Sequence, residues 1–202
     1  MIHTVGIINY GIAGNIHSIK RALEKAGGEV KIINTSEELK NVDKIIIPGV
    51  GSFKDAMTEL ENDGLVETLK EALATKLTLG ICLGMQILSE IGLEYGKTNG
   101  LGIIEAEVKH LETEAKVPHV GFSQIKVLQS NKLFENLEYE EFYFMHSYKV
   151  DVSKKDLIIA TAIYGKDEFV ASVQKENIYG VQFHPEKSRE AGIQLFRNFL
   201  KL

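Results

Sequence analysis

Tryptophan is absent from this 202-residue chain, cysteine occurs once and proline three times. One cysteine rules out an intramolecular disulfide and a zinc site built on several thiolates, so Cys82 is either apolar filler or a reactive thiol. Dense basic blocks are missing too. The 23 basic and 28 acidic residues leave a net charge of −5, and no Lys/Arg cluster of the kind that neutralises phosphates is present, which argues against nucleic acid as a partner. Long apolar runs are lacking, and residues 1–9 have neither the basic flank nor the apolar length of a signal peptide. These absences predict a cytoplasmic protein with no membrane partner. What is present is ordinary for a globular chain: 44% apolar and 25% charged residues, enough to build one core, expected as a single domain over residues 1–202.

The first half alternates short β-branched runs with longer amphipathic ones, as βαβ units around a parallel sheet do. Strands are predicted at residues 5–9, 29–34, 44–47 and 77–81. A glycine-punctuated turn over residues 10–14 leads into a helix at 15–25, with Ile16, Ile19, Leu23 and Ala26 at helical spacing and Gly27-Gly28 ending it. A short helix at 36–39 and a longer helical region at 52–74 complete this half. Beyond Gly92, strand-like segments follow one another with little helix between them, at 103–110, 124–128, 142–150, 157–162, 169–174 and 178–182. A last helix at 188–200 has Ile193, Phe196, Phe199 and Leu200 on its apolar side. The expected fold is α/β: an open, mostly parallel twisted sheet with helices on both faces and an antiparallel extension.

Three segments carry chemistry. In Gly80-Ile81-Cys82-Leu83-Gly84 a nucleophile sits between a strand and a helix with glycine two residues away on each side, the pattern of a nucleophile elbow. Such a turn strains the central residue, and side chains at the flanking positions would strike neighbouring backbone. It also sets Cys82 near the amino end of a helix starting at Leu83, which favours a thiolate. A thiolate needs a proton carrier, and the six histidines are His3, His17, His110, His119, His146 and His184. His184 stands out, because in His184-Pro185-Glu186 residues two apart project to one face and Pro185 stiffens the backbone between them. Glu186 can then orient the imidazole and support its positive charge, as the third member of a triad does. The segment Pro48-Gly49-Val50-Gly51-Ser52, at the carboxyl end of the third strand, offers main-chain N–H groups for an oxyanion, together with the Leu83 amide.

These residues resemble the triad-type, class I glutamine amidotransferases, whose nucleophile motif is similar to Gly80-Ile81-Cys82-Leu83-Gly84-Met85-Gln86. Within the family the likeness is greatest to the glutaminase subunits of imidazole glycerol phosphate synthase, of histidine biosynthesis. It runs the length of the chain: Asn9-Tyr10-Gly11 with Gly14-Asn15, the stretch from Pro48 to Phe53, the elbow, Pro118-His119-Val120-Gly121, Phe142 to Tyr148, and His184-Pro185-Glu186-Lys187-Ser188. The resemblance implies a flavodoxin-like sheet, a Cys82–His184–Glu186 triad acting through a glutamyl thioester, and an oxyanion site at Val50, Gly51 and Leu83. It further implies glutamine binding by Gly49, Gln86, Ser147 and Tyr148, with no cofactor or metal. It also implies a heterodimer with a TIM-barrel cyclase that receives the ammonia, since ammonia released into water at neutral pH would be protonated and lost. Candidates for the face it binds are Asn15, His119, Phe122, Tyr143 and His146.

One departure bears on the acceptor. The subfamily carries Trp-Asn after the Pro-His-x-Gly segment, whereas this chain has Phe122-Ser123. Relatives of this subunit also supply barrel partners that amidate surface-glycan sugars to acetamidino groups, so that acceptor stays open beside the histidine pathway. A free-standing thiol hydrolase and a catalytically silent binding subunit are the readings of another kind.

Overall fold

The computed structural model of the protein describes residues 4–11 and 15–202. Gly14, the end of the glycine-punctuated turn, and His3 lie outside the described residues. The first half runs β1 (Thr4–Ile8), α1 (Ile16–Lys25), β2 (Glu29–Ile33), α2 (Ser36–Lys40), β3 (Lys44–Ile47), α3 (Phe53–Asn62), α4 (Val66–Leu73) and β4 (Leu77–Ile81). Val5, Ile7, Ile45, Ile46, Ile47 and Leu79 are fully buried, as strands covered on both faces require. The α1 face made of Ile16, Ile19 and Leu23 is buried, so its helical spacing is the spacing of a packed stripe.

The second half runs through a single helical turn, α5 (Leu83–Gln86), and the strands β5 (Ser89–Gly92), β6 (Thr98–Asn99), β7 (Ile104–His110), β8 (His119–Val127), β9 (Glu141–His146), β10 (Tyr148–Val152), β11 (Ile158–Tyr164), β12 (Asp167–Lys175) and β13 (Ile178–Val181). It ends in α6 (Arg189–Lys201). Nine strands form one sheet in the order β2-β1-β3-β4-β13-β12-β11-β8-β9. The β2 to β13 portion is parallel, with Gly80 opposite Gly180, and β12, β11, β8 and β9 extend it antiparallel. A four-stranded sheet, β10-β7-β5-β6, stands beside it. Helix α1 packs with α6, while α2 packs with α4 and α3 with α5. Among the described residues no helix is long and apolar enough to cross a membrane.

Three details differ from the sequence expectation. The helical region at 52–74 is two helices, because Gly64 takes a φ of +65° after the Asp63 cap and turns the chain. The strand at 142–150 is two strands that break at Ser147: β9 pairs with β8 in the large sheet and β10 with β7 in the small one. The helix after Cys82 lasts one turn, since the chain turns at Ile87 to join β5, where Ser89 pairs with Ile104. The thiol therefore sees the free N–H groups of a helix start more than a summed helix dipole.

Candidate active site

Strand β4 delivers Cys82 to the carboxyl edge of the parallel strands in a conformation that L-residues rarely take, φ 52° and ψ −109°. Two hydrogen bonds, Met85 N–H to the Cys82 carbonyl at 3.0 Å and Gln86 N–H to the same oxygen at 3.1 Å, start α5 at once. The flanking glycines make the turn possible. A Cβ at Gly84 would lie 1.9 Å from the Ile47 carbonyl oxygen, and one at Gly80 would lie 2.7 Å from that of Gly84. Gly49 closes the contact from the neighbouring strand end, where a Cβ would come 2.6 Å from Cβ of Leu83. The Tyr10 hydroxyl donates to the Pro48 carbonyl oxygen and fixes that strand end.

His184 arrives from the next parallel strand, β13. Its backbone N–H donates to the Tyr143 carbonyl at 2.8 Å, and its own carbonyl accepts from the Ser188 hydroxyl at 2.6 Å. Ser188 Oγ in turn accepts from Tyr143 N–H at 3.0 Å, so the turn that starts at Pro185 is tied to β9. Nδ1 of His184 lies 2.9 Å from Glu186 Oε1, with both side chains fully buried. That bond leaves Nε2 toward Cys82, without a hydrogen-bond partner of its own. Burial pulls the proton affinity of the imidazole down, but the Cys82 thiolate and the Glu186 carboxylate outweigh it and raise the pKa to about 10.

A cavity of about 180 Å³ opens beside the sulfur, lined by Val50, Gly51, Leu83, Gln86, Ser147 and Tyr148 among others. Gly51 adopts a φ of +107°, which turns the backbone at the cavity's edge. Glu94 also lines the cavity and accepts from Phe53 N–H at 2.8 Å. Sequence reasoning missed it, because its segment carries no pattern beyond the short strand β5 before it. Gln86 Nε2 donates to the Tyr148 carbonyl at 3.0 Å, which joins α5 to the start of β10. Gly49 is not among the lining residues and serves instead as the packing contact beneath the elbow.

The five residues picked as a partner-facing set separate. Asn15 is buried, and its Nδ2 donates to Glu186 Oε1 at 2.8 Å, so it stands behind the carboxylate. His119 and His146 are buried as well, with His119 Nδ1 3.2 Å from His146 Nε2. His119 Nε2 lies 3.0 Å from Ser123 Oγ, and His146 Nδ1 donates to the Tyr148 carbonyl at 2.8 Å. Burial pushes both rings down to about 4, helped at His146 by the neighbouring imidazoles. His146 reaches the cavity itself. Phe122 and Tyr143 are half-buried on the β8–β9 surface, edge to face at 5.5 Å. Arg189 lies over the Phe122 ring and Lys187 over that of Tyr143. The pair offers an aromatic and cationic surface next to the site, whereas the buried three belong to its interior.

The family model described as glutamine amidotransferase class-I matches residues 7–202. The chain is 45% identical over 202 residues to "Imidazole glycerol phosphate synthase subunit HisH 2" of Methanococcus maripaludis, covering 98% of each chain. It is 42% identical over 203 residues to "Imidazole glycerol phosphate synthase subunit HisH 1" of Campylobacter jejuni, covering 98% of this chain and 100% of that one. Among solved structures, that of PurLQS from Thermotoga maritima has a TM-score of 0.80 at 20% identity, covering 100% of this chain and 99% of the other. That last similarity is one of fold.

Proposed function

The chain belongs to the class-I glutamine amidotransferase family, and from that premise we propose that Cys82, His184 and Glu186 form its catalytic triad. Its function is that of the glutaminase subunit of imidazole glycerol phosphate synthase, releasing ammonia from glutamine for a cyclase partner. The observation that carries the triad is the buried 2.9 Å contact of His184 Nδ1 with Glu186 Oε1, behind a ring whose Nε2 faces the strained cysteine.

The reaction follows from these groups. Glutamine enters the cavity with its side-chain amide at Cys82, held by Gln86, Ser147 and Tyr148. The sulfur attacks the amide carbon, and the charge that develops on the carbonyl oxygen meets main-chain N–H groups of the Val50-Gly51 segment and of Leu83. The imidazolium of His184 gives its Nε2 proton to the departing nitrogen, the C–N bond breaks, and ammonia leaves a glutamyl thioester. Water then attacks that thioester, losing a proton to Nε2, and glutamate departs as the sulfur recovers its electron pair. Glu186 holds the ring throughout. The ammonia passes to a TIM-barrel cyclase seated over the site, on the side where Phe122, Tyr143, Lys187 and Arg189 lie.

Replacement of Cys82 by Ala, assayed with the cyclase present, is expected to lower glutamine turnover by roughly 10⁴-fold or more; turnover left intact would remove the nucleophile. The acceptor is read by supplying glutamine labelled in the amide nitrogen to the chain with its barrel partner. Label in an imidazole product is the expected result. One observation favours a second acceptor: where the subfamily has Trp-Asn this chain has Phe122-Ser123, with Ser123 engaged by His119. Label in an acetamidino sugar would assign that alternative.

A further inference from the structure

The mechanism leaves one buried amide beside the nucleophile unused. Gln182 lies between β13 and His184, and its side chain is fully buried. Its Oε1 accepts from Gln86 Nε2 at 3.1 Å, and its Nε2 lies 3.5 Å from Cys82 Sγ. Which end of an amide faces which neighbour is decided by the partners. Here the chain of partners starts at a group that cannot flip. The Tyr148 carbonyl only accepts, so Gln86 must turn its NH₂ toward it. That NH₂ also meets Gln182, which must answer with its oxygen. The NH₂ of Gln182 is then left facing the sulfur.

Besides the His184 ring, that sulfur has the Met145 carbonyl oxygen as a polar neighbour, at 3.8 Å. A neutral thiol can donate to that carbonyl, but a thiolate is repelled by it and gains from a neutral donor beside the His184 ring. We infer that Gln182 is a further catalytic residue of this site: a donor fixed by Gln86 and the Tyr148 carbonyl that stabilises the Cys82 anion before attack and again as the thioester is cleaved. This rests on Cys82 being the nucleophile. It also gives Gln86 a second task, since the residue that touches bound glutamine aims the amide that holds the sulfur.

Cys82 is the chain's only cysteine, so alkylation by iodoacetamide reports on it alone. The test measures the alkylation rate of the full chain from pH 5 to 10 for the parent, Gln182→Met and Gln182→Glu. Both variants keep the side chain's length, and one of them puts a carboxylate at the sulfur. Loss of an N–H donor to the anion is expected to move the rising limb of the Gln182→Met profile up by about one pH unit. The Gln182→Glu limb moves at least as far. With the cyclase present, kcat of Gln182→Met falls about tenfold while KM for glutamine changes by less than about threefold. Variants that melt within a few degrees of the parent and alkylate on the parent's profile would overturn the inference. Stoichiometric alkylation of the parent that leaves glutaminase activity intact would instead overturn the nucleophile reading beneath it, so the two failures are distinguishable.

Discussion

Oε1 of Glu186 accepts from two donors at once, His184 Nδ1 and Asn15 Nδ2, at 2.9 and 2.8 Å. The carboxylate is therefore held from behind by an amide that is not part of the cavity lining. In Glu186→Gln the ring loses the charge that supports its protonated form, and kcat is expected to fall roughly 100-fold or more, with KM for glutamine little changed. The His184 titration, followed by NMR, should drop from about 10 part of the way toward its ordinary value, because Cys82, the larger cause of the rise, stays in place. Asn15→Leu removes only the backing bond, so its expected cost is nearer tenfold in kcat. Steady-state kinetics on the complex with the cyclase separates the two, and a wild-type kcat in Asn15→Leu would show that the carboxylate needs no backing.

At the scale of elements, the site depends on contacts that hold helix ends and strand ends together. The elbow and the end of β3 are in backbone contact, so Gly84→Ala must push apart β3 and α5 rather than bend a side chain. Its expected effect is about 3 kcal/mol or more of lost stability, read by urea unfolding. Far from the site, Lys76 donates to the carbonyl oxygens of Leu39, Lys40 and Val42, at and beyond the carboxyl end of α2. Lys76→Met is expected to cost about 1–2 kcal/mol while leaving glutamine turnover unchanged, because those carbonyls lose a charged donor that nothing else replaces. Elements of this kind were legible in the sequence to very different degrees. The parallel strands were readable because burial on both faces writes itself as a continuous β-branched run, as in Ile45-Ile46-Ile47. The elbow was readable because its strain demands glycine at fixed offsets. The break at Ser147 was not, because Phe142 to Val150 holds neither glycine nor proline and only pairing with two different sheets divides it. Glu94 and Gln182 were illegible as site residues for a similar reason, and Asn15 was picked for the partner face rather than for its place behind Glu186. Each is a polar residue within ordinary chain, and its task depends on a partner more than 40 positions away.

For the whole molecule, the site is a seam between two architectures: parallel strands bring Cys82 and His184 to one edge, and the antiparallel extension meets them there with β9 and the small sheet with β10. The extension carries the His119–His146 pair at that seam. His119 stacks between Tyr164 and Phe144, and His146 faces Phe169, His119 and His184, and among the described residues neither ring is hydrogen-bonded to a carboxylate that would meet an added proton. Unfolded, both rings take up a proton near pH 6.5; folded, they resist until about 4. The unfolded chain therefore binds more protons between those values, and the pair's contribution to stability should be complete above pH 6.5 and be lost as pH falls toward 4. The slope is at most about 1.4 kcal/mol per pH unit for each ring. His184 adds nothing in this window, since with a raised pKa it is protonated in both states below 6.5. Surface pairs such as Lys109–Asp151 and Lys25–Glu190 hold their carboxylates below the usual range and respond only at lower pH, and they are worth little in water. Urea unfolding from pH 8 to 4.5 is expected to show this acid limb, and His119→Phe, which keeps the aromatic stack, should flatten about half of it. An unchanged limb in that variant would mean that the acid sensitivity arises outside the seam.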